Sequence, residues 1–471
     1  MAAELAELAE LIETPVLERT LGAALRSGGD FAEVFAEDRL GSSGRFDDGR
    51  VEELTTGRLR GAGIRVVRGD TTGFAHTADL AESGLVEAAE AAAAAARAGG
   101  GGVREVALTR RPSTPHKIAV LPESVPKARK VELLRVADAA ARSEGGAIRS
   151  VTASYADSRR RILIANSDGL LTGDDQVRTR FGVQSVATGD TGMQTGYEAP
   201  GRSIGFEYFD EFDVAEIART SARRAITMLD ARPAPSGSLP IVLKRGAGAV
   251  LFHEACGHGL EADLVQRSAS VFGGKVGEQV ASPLVTLIDD GTYAREWGTF
   301  AVDDEGRSAQ HNVLIQDGVL ADYMWDYLRA RKSGRASSGN GRRETYQHLP
   351  MVRMTNTYLT PGATEPDDIV RDTEHGIYCV QLGGGQVNTA TGDFVFGITE
   401  AYLIEHGEIT HPIRAAQLIG NGPDTLRRID VVGNDFDTWA GTCGKNGQGV
   451  PVSSGQPTLR VTGITVGGTA A

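Results

Sequence analysis

His253-Glu254-Ala255-Cys256-Gly257-His258 places two imidazoles and a carboxylate within six consecutive residues. Neutral imidazole nitrogens hold Zn2+ without cancelling its charge, and a catalytic site takes three protein ligands and keeps one position open. A carboxylate beside such an ion can accept a proton from an attacking water and hand it to a departing amine. Glu254 is the candidate for that role, and the set reads as the raw material of a zinc peptidase.

The spacing differs by one residue from HExxH, whose histidines share one helical face. At roughly 100° per residue, His258 would point about 140° away from His253 on a regular helix. The helix must therefore distort or stop, and Gly257 and Gly259 supply backbone freedom beside His258. Residues 247–252 read as the helix leading in. On spacing alone, the alternative is a buried helix end with hydrogen-bonded histidines.

Spacing does not identify the third ligand; Glu261, His311, His348, His375 and Cys443 are all candidates. The chain has three cysteines, an odd number without CxxC pairs, which speaks for free thiols in a reducing compartment. Cys256 reads as small apolar filler and Cys379 as a core strand residue. Cys443 lies in the glycine-rich stretch 440–447, where Lys445 would favour its thiolate.

A chain of 471 residues exceeds one ordinary core. We expect an α+β protein: an N-terminal mixed domain of helices and antiparallel strands over 1–236, and a C-terminal β-rich, barrel-like domain over 237–471 carrying the metal-binding helix. In the first part, helices are expected at 1–20, 81–98, 127–143 and 212–229. Strands are expected at 31–37, 63–68, 150–156, 161–165 and 177–188, with a turn between 156 and 161. Their order hints at an internal duplication. The Asp230–Gly237 stretch reads as a linker. Beyond it, Asp290-Gly291, Glu305-Gly306, Asp317-Gly318 and His406-Gly407 read as hairpin turns.

The net charge of −13, with acidic and basic residues interspersed, disfavours nucleic-acid binding. Arg159-Arg160-Arg161, the densest basic run, reads as a solvated strand edge. The N-terminus lacks a basic leader, and the alanine run 91–96 is too short to span a bilayer. The expected location is the cytoplasm, with no membrane partner. For substrate, Arg342 and Arg343 could offer planar donor forks to a carbonyl or carboxylate, and His348 could steady an oxyanion. Gly383, Gly384 and Gly385 would let an extended peptide approach the backbone. Internal salt bridges, a structural histidine and a plain turn are the competing readings.

The chain resembles the TldD branch of the TldD/PmbA family of metalloproteases. The resemblance spans essentially its whole length, through HEACGHGLEAD (253–263), SVFGGKVGEQVAS (270–282), IDDGT (288–292), DDEG (303–306), GNGRRETYQHLPMVRMTNTY (339–358), GGGQV (383–387), VGNDF (432–436) and CGKNGQ (443–448). It implies a zinc site of His253, His258 and Cys443, with Glu254 as general base. It also implies hydrolysis of unfolded or extended polypeptides, with roles in peptide maturation and toxin–antitoxin turnover. The implied assembly is a dimer with a PmbA-like paralogue or with a second copy. The alternative is a non-catalytic partner or regulator of the gyrase-modulator kind, since the family has a branch lacking the metal motif.

Overall fold

The computed structural model describes residues 11–96, 105–190 and 192–468. The first ten residues of the helix expected at 1–20, and the glycines after the helix expected at 81–98, lie outside these.

Helix α1 (Thr14–Leu25) leads into β1 (Phe31–Asp47), β2 (Arg50–Arg68), β3 (Thr71–Thr77) and α2 (Glu82–Ala95). The same order of main elements recurs in α3 (Lys127–Ser143), β4 (Ile148–Asn166), β5 (Leu170–Gly189), β6 (Gly192–Glu198) and α4 (Val214–Thr227). The two sets join through antiparallel β1 and β4, from Glu33 opposite Asn166 to Asp47 opposite Thr152. One sheet results, in the order β3-β2-β1-β4-β5 with β6 also on β5. The duplication hinted at by the sequence is thus seen at the level of elements.

Apolar residues one helical turn apart place each helix pair on this sheet. Leu17, Leu21, Leu85 and Ala89 pack on Val34, Ile64 and Val66. Leu133, Leu134, Ile217 and Ala222 pack on Val151 and Phe181. Each fully buried large side chain contributes about 1.5–3 kcal/mol.

The turn expected between 156 and 161 is absent, because β4 runs unbroken through the charged stretch. Its charges are paired: Asp157 with Lys130, Arg159 with Asp175, Arg160 with Glu37 and Arg161 with Asp38. The arginine run is therefore the middle of a central strand and not a solvated edge.

The C-terminal half contains β7 (Gly237–Leu243), α5 (Ala249–Phe252), β8 (Leu287–Asp290), β9 (His311–Gln316), β10 (Asn356–Leu359), β11 (His375–Val387), β12 (Asp393–Glu405), β13 (Gln417–Asn421), β14 (Asp437–Lys445), β15 (Gln448–Gln456) and β16 (Leu459–Gly467). Strands β11-β7-β16-β13-β12 form a barrel, closed by β12 pairing with β11. A second sheet runs β9-β8-β10-β15-β14, with β14 at its edge. One hydrophobic cluster unites Leu251 and Phe252 of α5 with Ile241, Ile377 and Phe396 of the barrel and Leu287, Leu359 and Val452 of the second sheet. The short helix is thereby clamped between the two.

Asp317-Gly318 and His406-Gly407 are tight hairpin turns, all four residues at positive φ. Asp290-Gly291 is not a hairpin: β8 reaches its partner β9 only after a long excursion. Glu305-Gly306 is a small turn closed by an isolated bridge between Val302 and Ser308.

The halves meet across a buried charge network. Arg65 bonds Glu33 at 2.8 Å and Glu305 at 2.9 Å. Arg160 bonds Glu37 at 2.7 Å and Asp304 at 2.8 Å, and Arg343 reaches Glu33 at 2.5 Å. Among the described residues, no helix is long and apolar enough to cross a membrane.

Candidate metal centre and active site

Helix α5 does not continue regularly into the histidines. Residues His253–Gly257 form a π turn, closed by the His258 N–H donating to the His253 carbonyl, and His258–Leu260 tighten to 3-10 geometry. The wider turn absorbs the extra residue and brings His258 back beside His253; such insertions recur at functional sites. The expected distortion is therefore present, but the glycines act differently from expectation. Gly257 has an ordinary helical φ of −53°. A Cβ there would lie 2.2 Å from Met354 Sδ, and one on Gly259 would lie 2.8 Å from the Phe272 ring. Both are small to admit neighbours, not to unwind the helix.

The imidazoles stand edge to face with centroids 5.1 Å apart. Cys443 arrives from β14, so the stretch read as a glycine-rich loop is an edge strand, ending in the turn Asn446-Gly447. Its Sγ lies 3.2 Å from His253 Nε2 and 3.4 Å from His258 Nε2. One thiolate and two imidazoles bound tetrahedrally to a single zinc would stand about 3.5 Å apart, given Zn–S of about 2.3 Å and Zn–N of about 2.0–2.1 Å. The observed separations fit that donor set. All three residues are buried. Burial opposes ionisation of the Cys443 thiol, yet His253 and His258 hold it well below the ordinary range.

Behind this donor group, Glu261 Oε2 lies 3.1 Å from His258 Nδ1, which leaves Nε2 facing Cys443. Lys445 Nζ donates to Glu261 at 2.8 Å, Asp263 at 2.7 Å and the Val352 carbonyl at 3.0 Å. Lys445 therefore serves the carboxylates, and the histidines, not this lysine, stabilise the thiolate. Burial works to depress the His258 pKa, but Glu261 and Cys443 raise it well above its usual value. Glu261 thus orients His258 and stands outside the donor group of His253, His258 and Cys443; a carboxylate fixing an imidazole in this way is the usual outer support of a metal site.

Sequence reasoning missed Ser454, 3.4 Å from His253 Nδ1, and the fully buried Arg353, which donates to the Cys443 carbonyl. No motif signalled either. Glu254 differs from these three residues in remaining 27% exposed, with Oε2 3.7 Å from His258 Nε2.

The other candidates are placed elsewhere. Cys256 and Cys379 are buried thiols pushed up to about 12 by desolvation, as expected of core residues. His375 joins Glu374 and His406 in a separate exposed group, and His311 begins β9 on the surface. His348 bonds Thr345 locally at 2.9 Å. Arg342 and Arg343, read as substrate contacts, are buried; Arg342 donates to the Met354 carbonyl, and Arg343 to Glu33 and the Asp304 carbonyl. They hold the protein together and do not offer a free fork to substrate. Gly383 and Gly384 line a cleft of about 920 Å3, together with Val250 of α5 and Trp439 and Ala440 of β14. Gly385 instead packs against the Phe396 ring, too closely for a Cβ.

Family models described as PmbA/TldA metallopeptidase domain 1, central domain and C-terminal domain match residues 32–96, 121–229 and 236–468. The chain is 40% identical over 449 residues to a metalloprotease TldD homolog of Haemophilus influenzae, covering 93% of each. The chain belongs to the TldD/PmbA metallopeptidase family. A family member from Methanothermobacter thermautotrophicus, named a metalloprotease, is 37% identical over 445 residues, covering 93% of this chain and 96% of its own. The fold is also that of a proposed modulator of a DNA gyrase from Thermotoga maritima, with a TM-score of 0.80, 21% identity, and coverage of 96% of this chain and 99% of that one. Metallopeptidases of this family act through a metal ion, and His253, His258 and Cys443 form the buried donor group able to hold one.

Proposed function

We propose that the chain is a zinc-dependent peptidase of the HExxxH type that cleaves unfolded or extended polypeptide. The observation that carries this reading is the convergence of Cys443 Sγ on both Nε2 atoms. Thiolate with imidazole suits zinc, whereas magnesium and calcium prefer oxygen donors. A zinc ion held there would supply a Lewis acid to polarise the scissile carbonyl and acidify water. The protein's own part falls to Glu254, whose half-open carboxylate can take the water proton on Oε2 and return it to the leaving amine. Glu261 and Lys445 hold His258 in register for both steps.

Extended substrates are favoured by two features of the cleft. Strand β14 has one unpaired edge, a template for an added strand, and Gly384 has nothing within 4 Å of where a Cβ would stand. A dimer with a PmbA-like paralogue, or with a second copy, would enclose the site and shut out folded proteins. The reading as a non-catalytic modulator rests on a likeness of fold, and the complete donor set beside Glu254 favours catalysis.

The test combines elemental analysis with cleavage assays on matched folded and unfolded substrates, before and after chelation, plus mass measurement with and without the paralogue. One zinc per chain, and cleavage of unfolded substrate lost with the metal, are expected. A metal-free chain with undiminished activity refutes the peptidase mechanism, and a monomer digesting folded substrate equally well refutes the enclosed site.

A further inference from the structure

Within this acidic chain, four arginines surround one cleft of about 440 Å3 where the two halves meet. Arg111 follows a short strand paired to β5, Arg307 lies in the turn after Glu305, and Arg331 and Arg335 come from the helix Tyr327–Lys332 and the segment beyond it. No aspartate or glutamate lines the cleft, whereas Thr172, Ser308 and Ser337 add hydroxyls and Gln310 an amide. For a chain of net charge −13, this is a local reversal of sign.

The guanidinium groups differ in what they already hold. Arg331 leans on Asp168 at 3.5 Å, and Arg335 pairs with Asp322; both carboxylates lie outside the lining. Arg111 and Arg307 have no ion-pair partner among the described residues. Arg307 lies over the Tyr327 ring, 4.0 Å from its centroid, and its buried Nε has no hydrogen-bond partner. The ring fixes the guanidinium plane in advance, so little further ordering is needed on binding.

We propose that this cleft binds a small organic anion carrying phosphate at more than one position. The arginines reach the cleft from three chain segments, with Arg307 and Arg331 placed 4.0 Å and 6.0 Å from the centroid of the Tyr327 ring, so several guanidinium groups are available to more than one anionic group of a ligand. The volume falls within the roughly 300–1,000 Å3 typical of small-molecule sites and leaves room around a lone phosphate ion. Planar forks with neighbouring hydroxyls match the several oxygens of phosphate groups. Because the lining draws on both halves of the chain, a bound ligand would brace their junction.

Isothermal titration of the full chain as purified, at low ionic strength, with fructose 1,6-bisphosphate, inorganic phosphate and citrate as probes tests this. The bisphosphate should bind saturably, with inorganic phosphate at least about tenfold weaker. Arg111→Gln and Arg307→Gln should each weaken bisphosphate binding by about tenfold or more. Arg111 is exposed and unpaired, so its substitution leaves the fold unburdened if Arg307→Gln proves unstable. Absence of saturable bisphosphate binding, binding indifferent to both substitutions, or citrate binding as tightly as the bisphosphate would overturn the proposal.

Discussion

Cys443 and Glu254 differ in exposure, as the proposed division between metal donor and general base requires: the thiol is buried between two imidazoles, and the carboxylate reaches solvent. Cys443→Ala should therefore strip the metal, read as loss of stoichiometric zinc, because only two donors remain. Glu254→Gln should keep zinc and fold but lose cleavage by about 10²-fold or more, since an amide cannot accept the water proton. Glu261→Gln should weaken zinc about 10–100-fold, measured by competition with a chelator, because the neutral amide no longer fixes the His258 tautomer. The sequence marked His253, His258 and Glu254 by adjacency alone. Cys443, far along the chain, was recognisable only through family resemblance, since no spacing rule links a helix to a strand that meets it in space. Glu261 was visible as a candidate, but its rank as ligand or support depended on which atom faces His258.

Among the elements, α3 was legible to the residue, because its apolar periodicity is uninterrupted between a proline and a glycine. Strand β4 was not, because the run Asp157 to Arg161 resembles a surface turn until its partners on α3, β1 and β5 are seen. The π turn lay between these cases: a distortion was required by the His253–His258 spacing, but its form depended on Met354 pressing against Gly257. Gly257→Ala should cost about 1–3 kcal/mol by overpacking and reduce zinc occupancy. Combining it with Met354→Ala removes the clash but opens a cavity, so zinc occupancy should recover while stability does not, which metal analysis beside thermal unfolding would show.

At the scale of the whole molecule, the α+β class and the barrel were foreseen, whereas the single sheet uniting both N-terminal sets required knowledge of which strands pair. The junction between the halves also carries a pH dependence. Burial, with Glu305 adding to it, pushes the Asp326 carboxyl up to about 7, against an unfolded value of about 3.9. Between these values the folded chain holds the extra proton, so this group's contribution to stability falls as pH rises, and the penalty is complete above about 7. Asp326→Asn, which can still cap the following helix through its oxygen to the Arg329 N–H, should raise Tm at about pH 8 and change it little near pH 4. The gain should be on the order of 1–3 kcal/mol.

The charge network of Glu33, Glu37, Arg65 and Arg160 with Asp304, Glu305 and Arg343 also bears on how the chain can be divided and inherited. A break at the linker would leave each half with buried charges deprived of counterparts, at several kcal/mol for each ion stranded away from water. The two halves are therefore poor candidates for separate genes or for exchange between relatives, and a change of charge on one side should survive only alongside its complement on the other.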